Sequence, residues 1–214
     1  IDSKTSYKKF INFLTKNKLY FKNSNNAHFS DFVSKPILSN EKNLNYFKIK
    51  KKILKKLKDS KVNLRLNEQI KKKDLKNYYR IIVACYDQNN IILRNLGLKP
   101  KKKYKYELVE KIIIKLPKYF RKESFMVLDG KFVSLDPYLG TNYHLLSDVK
   151  NSKLEVVEGY YPKFKSYKKR FINKGIIKNI KVSKFSQFID HCKNYLPFLL
   201  KAKYVGSFFV TRTI

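Results

Sequence analysis

The chain has 214 residues, 43% of them hydrophobic and 15% aromatic, and sets 49 Lys and Arg against 16 Asp and Glu for a formal net charge of +33. That apolar content suffices for one ordinary domain with extensions, and the aromatic content excludes wholesale disorder. A charge of this size repels itself unless a polyanion neutralises it, which points to nucleic acid or an anionic surface, while no apolar run approaches the roughly 20 residues that span a bilayer.

Lys and Arg run along the whole chain with Tyr and Phe between them, where a membrane-binding protein concentrates its charge on one amphipathic helix; nucleic acid is the expected partner, with no membrane and no homo-oligomer. Only six of the 49 basic residues are Arg, Trp is absent, and Lys, Asn, Ile, Tyr and Phe are abundant. That bias suits an AT-rich genome, organellar or nuclear. Cys85 and Cys192 stand far apart and neither forms a CxxC pair, so a disulfide framework and a zinc signature are not expected and a reduced compartment is. The first residue is Ile1, which leaves processing of the N-terminus open.

Residues 1–77 read as a basic, mainly helical N-terminal extension. Tyr7, Phe10, Ile11 and Leu14 recur at helical spacing within 4–20, with Lys8, Lys9 and Lys16 elsewhere on the turn. Residues 22–45, rich in Asn and Ser around Pro36, read as an irregular linker. A second helix is expected over 46–58, where Tyr46, Ile49, Ile53, Leu54 and Leu57 form one stripe; seven Lys, at 48, 50, 51, 52, 55, 56 and 58, occupy the remainder and suit a helix lying along phosphates.

From Tyr78 the pattern changes. The spacing predicts a strand over 78–86, an apolar helical segment from Ile91 to Leu98 ended by Gly97 and Pro100, a basic connector from Lys99 to Lys105, and a strand from Leu108 to Leu116. Asp129-Gly130 between two β-rich runs predicts a two-residue type I′ hairpin, so that 116–137 reads as a long β-arm carried by a small sheet. Residues 138–149 end in a strand, and 150–182 read as a basic inserted loop with Tyr160, Tyr161, Phe164 and Tyr167 among its lysines. Ser183 is placed to cap a last helix striped by Phe185, Phe188, Ile189 and Cys192, stopped by Pro197; 198–205 reads as a closing strand and 206–214 as a tail. The order over 78–205 is strand, helix, strand, strand, helix, strand, an α+β ferredoxin-like βαββαβ sandwich with the arm attached.

With that order in place, the segment Arg80 to Asp87, the Leu116-Pro117 pair followed by Arg121-Lys122-Glu123, Phe125, Val127 and Leu128, then Tyr138, Leu146, Asp148 and Val149, and the last helix from Ser183 to Pro197 resemble the small-subunit ribosomal protein S ten family in its bacterial and mitochondrial form. The resemblance covers about 78–149 and 183–205. It departs from the family where Gly97 and Pro100 interrupt the first helix, at the Asp129-Gly130-Lys131 tip, in the insertion at 150–182, and over the first 77 residues. It implies a structural constituent of the small-subunit head of an organellar ribosome, mitochondrial before plastid or cytoplasmic. The arm would then run inward among ribosomal RNA and neighbouring head proteins, with no enzymatic activity and no cofactor.

The candidate RNA contacts are Lys118, Arg121, Lys122 and Lys131 on the arm, Lys99, Lys101, Lys102 and Lys103 on the connector, and Lys163, Lys165, Lys168, Lys169 and Arg170 in the insertion, because phosphate neutralisation by cations with aromatic rings nearby is how such surfaces hold RNA. No catalytic or metal residue is assigned. His28, His144 and His191 lack a second ligand at useful spacing, since Asp190 beside His191 points elsewhere on a helix. Asp129 and Asp136 read as turn residues and Cys85 and Cys192 as core thiols. Two other functions stay open: an organellar nuclease or maturase fragment, which needs a carboxylate cluster, and a free-standing nucleic-acid chaperone.

Overall fold

The structure is a computed structural model that describes residues 4–25, 27–33, 35–130 and 132–214. Its first helix, α1 (Tyr7–Lys16), begins where the Ser6 hydroxyl accepts the Lys9 N–H at 3.3 Å, and it buries Leu14. Where a linker was expected, β1 (Phe21–Asn23) and β2 (Ile37–Ser39) pair antiparallel. The residues between them explain the closure: Ser30 N–H donates to the Tyr195 carbonyl at 3.0 Å, and the rings of His28 and Phe29 meet Phe120 and Phe125 at 4.9 and 5.7 Å. Anchored on the body, this loop brings its two ends together.

Helix α2 (Tyr46–Asp59) forms as its periodicity predicts, with Asn45 capping the Lys48 N–H at 3.0 Å. None of its residues is buried, and Phe47 joins it to the body through the Tyr138 ring, 5.8 Å away. The strand expected over 78–86 does not form. Tyr78 to Cys85 is irregular, Tyr79 and Ile82 are exposed, and a single 3₁₀ turn follows at Tyr86–Gln88 before α3 (Asn89–Asn95). Cys85 is accordingly exposed, a correction to its reading as a core thiol.

The cause lies in β3 (Tyr104–Lys115), whose edges are both taken. The meander β4 (Phe125–Val127), β5 (Val133–Tyr138) and β6 (Tyr143–Asp148) reaches one edge through Ile112–Ile114. Next to β6 on that edge, β7 (Lys153–Gly159) pairs with Tyr104–Val109. After α4 (Phe185–Cys192), the last strand β8 (Lys203–Thr213) covers the opposite edge from Tyr106 to Lys115. An apolar alternation at 78–86 therefore has no partner on β3. The architecture is mixed α and β with antiparallel sheets; relative to the expected βαββαβ order it lacks the first strand and gains β7, the first part of the supposed loop at 150–182. The supposed tail at 206–214 is mostly β8.

The segment 116–137 is a second correction, for it lies against its own body. Leu116, Phe120, Phe125, Val133 and Leu135 are buried with Ile112, Leu146, Phe188, Cys192, Leu196 and Leu199 in the main core. Each large apolar side chain so buried stabilises the fold by about 1.5–3 kcal/mol, which a projecting finger would forgo. Asp129 and Gly130 have the positive φ values, 83° and 76°, of a type I′ turn, but the flanking pair is Val127 with Val133, so the connection is 128–132.

A smaller core of Tyr106, Leu108, Phe164 and Phe209 seats the segment after β7. Bridges from Ile172 to Phe209 and from Ile177 to Ser207 hold that segment to β8. Gly206 permits the second contact, because a Cβ there would stand 2.5 Å from the Ile176 side chain and 3.2 Å from the Ile177 carbonyl. No helix among the described residues is long and apolar enough to cross a membrane.

Candidate nucleic-acid interface

Helix α3 ends where Gly97 takes φ +78°, with Gly97 N–H donating to the Arg94 carbonyl and Leu98 N–H to that of Leu93, both at 2.9 Å. This turn leaves Arg94 exposed and directs the chain toward β3. On the same helix Asn90 is buried, and its amide donates to the Lys102 carbonyl at 2.8 Å and the Tyr160 carbonyl at 2.9 Å. The Tyr106 hydroxyl donates to that Tyr160 carbonyl as well, at 2.9 Å. The start of β3 and the end of β7, already paired at Tyr104 and Gly159, are thereby pinned together.

The pinned backbone carries a row of cations over rings. The Arg94 guanidinium lies 4.6 Å from the Tyr161 ring centre, the Lys103 ammonium 5.6 Å from Tyr160, and the Lys102 ammonium 5.3 Å from Tyr104. The connector lysines Lys99, Lys101, Lys102 and Lys103 are all exposed, so the fold brings them beside the aromatic start of the insertion. Arg94 was not foreseen, because the apolar periodicity around it drew attention to the other face of its helix.

Further along, the Glu155 carboxylate accepts the N–H groups of Lys165 and Ser166 and so fixes the 3₁₀ turn Tyr167–Phe171. There the Arg170 guanidinium lies 4.8 Å from the Phe171 ring and 5.9 Å from Tyr167. Lys163, Lys165, Lys169 and Arg170 face solvent. Lys168 does not: it is buried, its ammonium near the Tyr167 and Phe209 rings, and burial pushes its pKa below the ordinary 10.5 against the pull of Glu110. Its place as a phosphate contact is corrected to that of a core cation.

Lys118, Arg121 and Lys122 are exposed in the β3–β4 connection, at the other end of β3 from the platform. At about 3.3 Å per residue the two ends of that strand stand roughly 35 Å apart, so the arm cations form a separate patch. Lys131 lies outside the described residues.

The buried ionisable groups serve the fold. Glu107 meets Lys153 at 3.0 Å and Arg212 through Nε at 2.9 Å; burial pushes its pKa up, but the two cations prevail and hold it below the usual carboxylate range. Glu110 accepts the Ser183 hydroxyl at 2.6 Å and the Lys184 N–H at 3.0 Å; the N-cap of α4 is Lys184 and not the expected Ser183, whose hydroxyl accepts the Phe185 N–H at 3.0 Å from one residue further out.

Sequence spacing missed one further group. Asp148, His191 and Cys192 are all buried, with their potential ligand atoms within 4.8 Å of one another, and among the described residues this is the group able to hold a metal. The Asp148 carboxylate is already engaged by His191 Nδ1 at 2.9 Å, Lys150 N–H at 2.9 Å and Asn151 Nδ2 at 2.6 Å. Burial, reinforced by that carboxylate, drives the Cys192 thiol pKa far above its ordinary value. The trio therefore reads as a knot tying β6 to α4. Comparison of the chain with protein-family models, with curated proteins and with solved structures finds no match.

Proposed function

We propose that this protein is an RNA-binding structural component of a ribonucleoprotein particle, and that the particle is the small subunit of an organellar, mitochondrial ribosome. The observation that carries the RNA reading is the rigid platform of cations over tyrosines at the joint of α3, β3 and β7, in a chain of net charge +33. Phosphates neutralise such a surface, and rings beside the cations add base contact. The ribosomal reading is supported by the residue resemblance to the S ten family. The expected ferredoxin-like order is kept only in part: a last helix and a last strand follow in the expected sequence as α4 and β8, whereas the first strand is an irregular segment, β7 is extra, and the projecting arm is a buried hairpin. Head ribosomal proteins and small-subunit RNA are the partners this reading names.

Sedimentation of an organelle lysate through moderate salt tests it. The protein is expected to travel with the small subunit and to be released by ribonuclease. Recovery at the top of the gradient with the subunits intact overturns the ribosomal reading.

A further inference from the structure

We infer that the RNA held at the Tyr160–Tyr161 platform is single-stranded, bound through its base faces as well as its phosphates; this rests on the RNA-binding reading above and names the class of RNA that the site takes. Charge alone does not make that choice. A duplex presents phosphates at higher density than a single strand, so a surface of lysines without rings favours the duplex. Rings reverse the preference, because a duplex hides its base faces inside the stack and a single strand offers them.

The platform has three properties suited to stacking. Tyr160 is 39% exposed although its backbone is fixed, its carbonyl held at 2.9 Å by both the Asn90 amide and the Tyr106 hydroxyl. A fixed backbone leaves less conformational freedom to lose when a base docks. Each of the two rings has its own cation, Lys103 over Tyr160 and Arg94 over Tyr161, positioned to meet the phosphate beside a stacked base. The flat Arg94 guanidinium adds a second planar surface on which a base can lie. Stacking uses a face that every base has, so the preference is for strandedness and not for sequence.

Binding of the full chain to labelled oligouridine of about 12 nucleotides and to an RNA duplex of similar length, followed by fluorescence anisotropy across a salt series, tests the inference. Oligouridine is expected to bind about tenfold more tightly near 0.15 M salt. Tyr160→Leu with Tyr161→Leu should erase that advantage, a loss of about tenfold in oligouridine affinity for the pair, without changing the salt slope, and the Phe pair should retain it. Lys102→Ala with Lys103→Ala should instead lower the oligouridine salt slope by about 0.7 per lysine. A duplex bound as tightly as the oligomer, or a leucine pair with undiminished oligomer affinity, overturns the inference and leaves RNA binding standing. If neither RNA binds, the RNA reading itself falls. Should the leucine pair unfold, the wild-type comparison of strand and duplex decides alone.

Discussion

Asn90 does its work through two carbonyls that belong to different parts of the chain. Asn90→Ala leaves the Lys102 carbonyl without this donor and the Tyr160 carbonyl with Tyr106, so a loss of about 1–3 kcal/mol is expected in urea unfolding, together with weaker RNA binding. An unchanged midpoint would contradict the pinning role. His144, also buried, sets the response to acid. Its Nε2 lies 2.9 Å from the Phe120 carbonyl and so carries the proton. Burial pushes its pKa below the ordinary 6.5, against the pull of the Phe120 carbonyl and Asp136. The unfolded chain takes up this proton near pH 6.5 and the native chain only in stronger acid. The stability His144 contributes is thus present above that pH and lost as pH falls toward the native value. Glu107, with its lowered pKa, acts in the same direction at lower pH. Unfolding free energy should decline on acidification below about pH 6.5, and His144→Gln should flatten that decline; an identical pH profile for the variant would exclude His144 as its source. None of these roles is legible in the sequence, because Asn90, His144 and Glu107 find partners between 12 and 105 residues away.

Elements with a strong local signal are the ones that sequence reasoning recovers. Helices α1, α2 and α4 carry a 3.6-residue stripe and α3 is ended by a left-handed glycine, so local rules place them closely. Strands depend on who sits beside them. The 78–86 run has good alternation but no free edge on β3, while β7 was hidden in a segment whose lysines, Gly159, Pro162 and Gly175 look like loop. The hairpin at 116–137 misled because its glycine turn and flanking cations resemble those of a projecting arm, and its five buried side chains are spread among them. Phe120→Ala therefore should cost about 3–5 kcal/mol, measurable by denaturant unfolding, whereas on a free finger it would cost almost nothing. Arg121→Ala with Lys122→Ala, on the exposed side of the same connection, should leave stability within about 0.5 kcal/mol. Helix α2 poses the opposite case. It is 14 residues long with no buried side chain, and Lys48–Lys52, Lys51–Lys55 and Lys52–Lys56 set like charges one turn apart. A helix of that length without packing is marginal in water. Its circular-dichroism signal should weaken at low ionic strength and recover on adding RNA; a signal indifferent to both would mean that the lysine face meets no polyanion.

At the scale of the whole molecule, charge and topology set separate requirements. Forty-nine cations against 16 acids make the free chain self-repelling, and its affinity for RNA should fall steeply and linearly on a log–log plot as salt rises. That imbalance is what leads the sequence to a polyanionic partner, since no fold cancels a charge of +33. Topology was less legible, because β3 is paired with strands that follow it at very different distances: β6 and β7 lie within about 50 residues, while β8 pairs Lys111 with Phe208 across nearly a hundred. That last pairing has a consequence for how the protein is made. During synthesis Ile112, Ile113 and Ile114 leave the translating machinery long before the segment that seals their outer edge, so a nascent chain displays an unpaired, strongly apolar ribbon amid a swarm of lysines. Long-range closure of this kind is slow. Chains lacking 203–214 should accumulate as aggregates instead of native protein, and their recovery as soluble, cooperatively unfolding protein would contradict this.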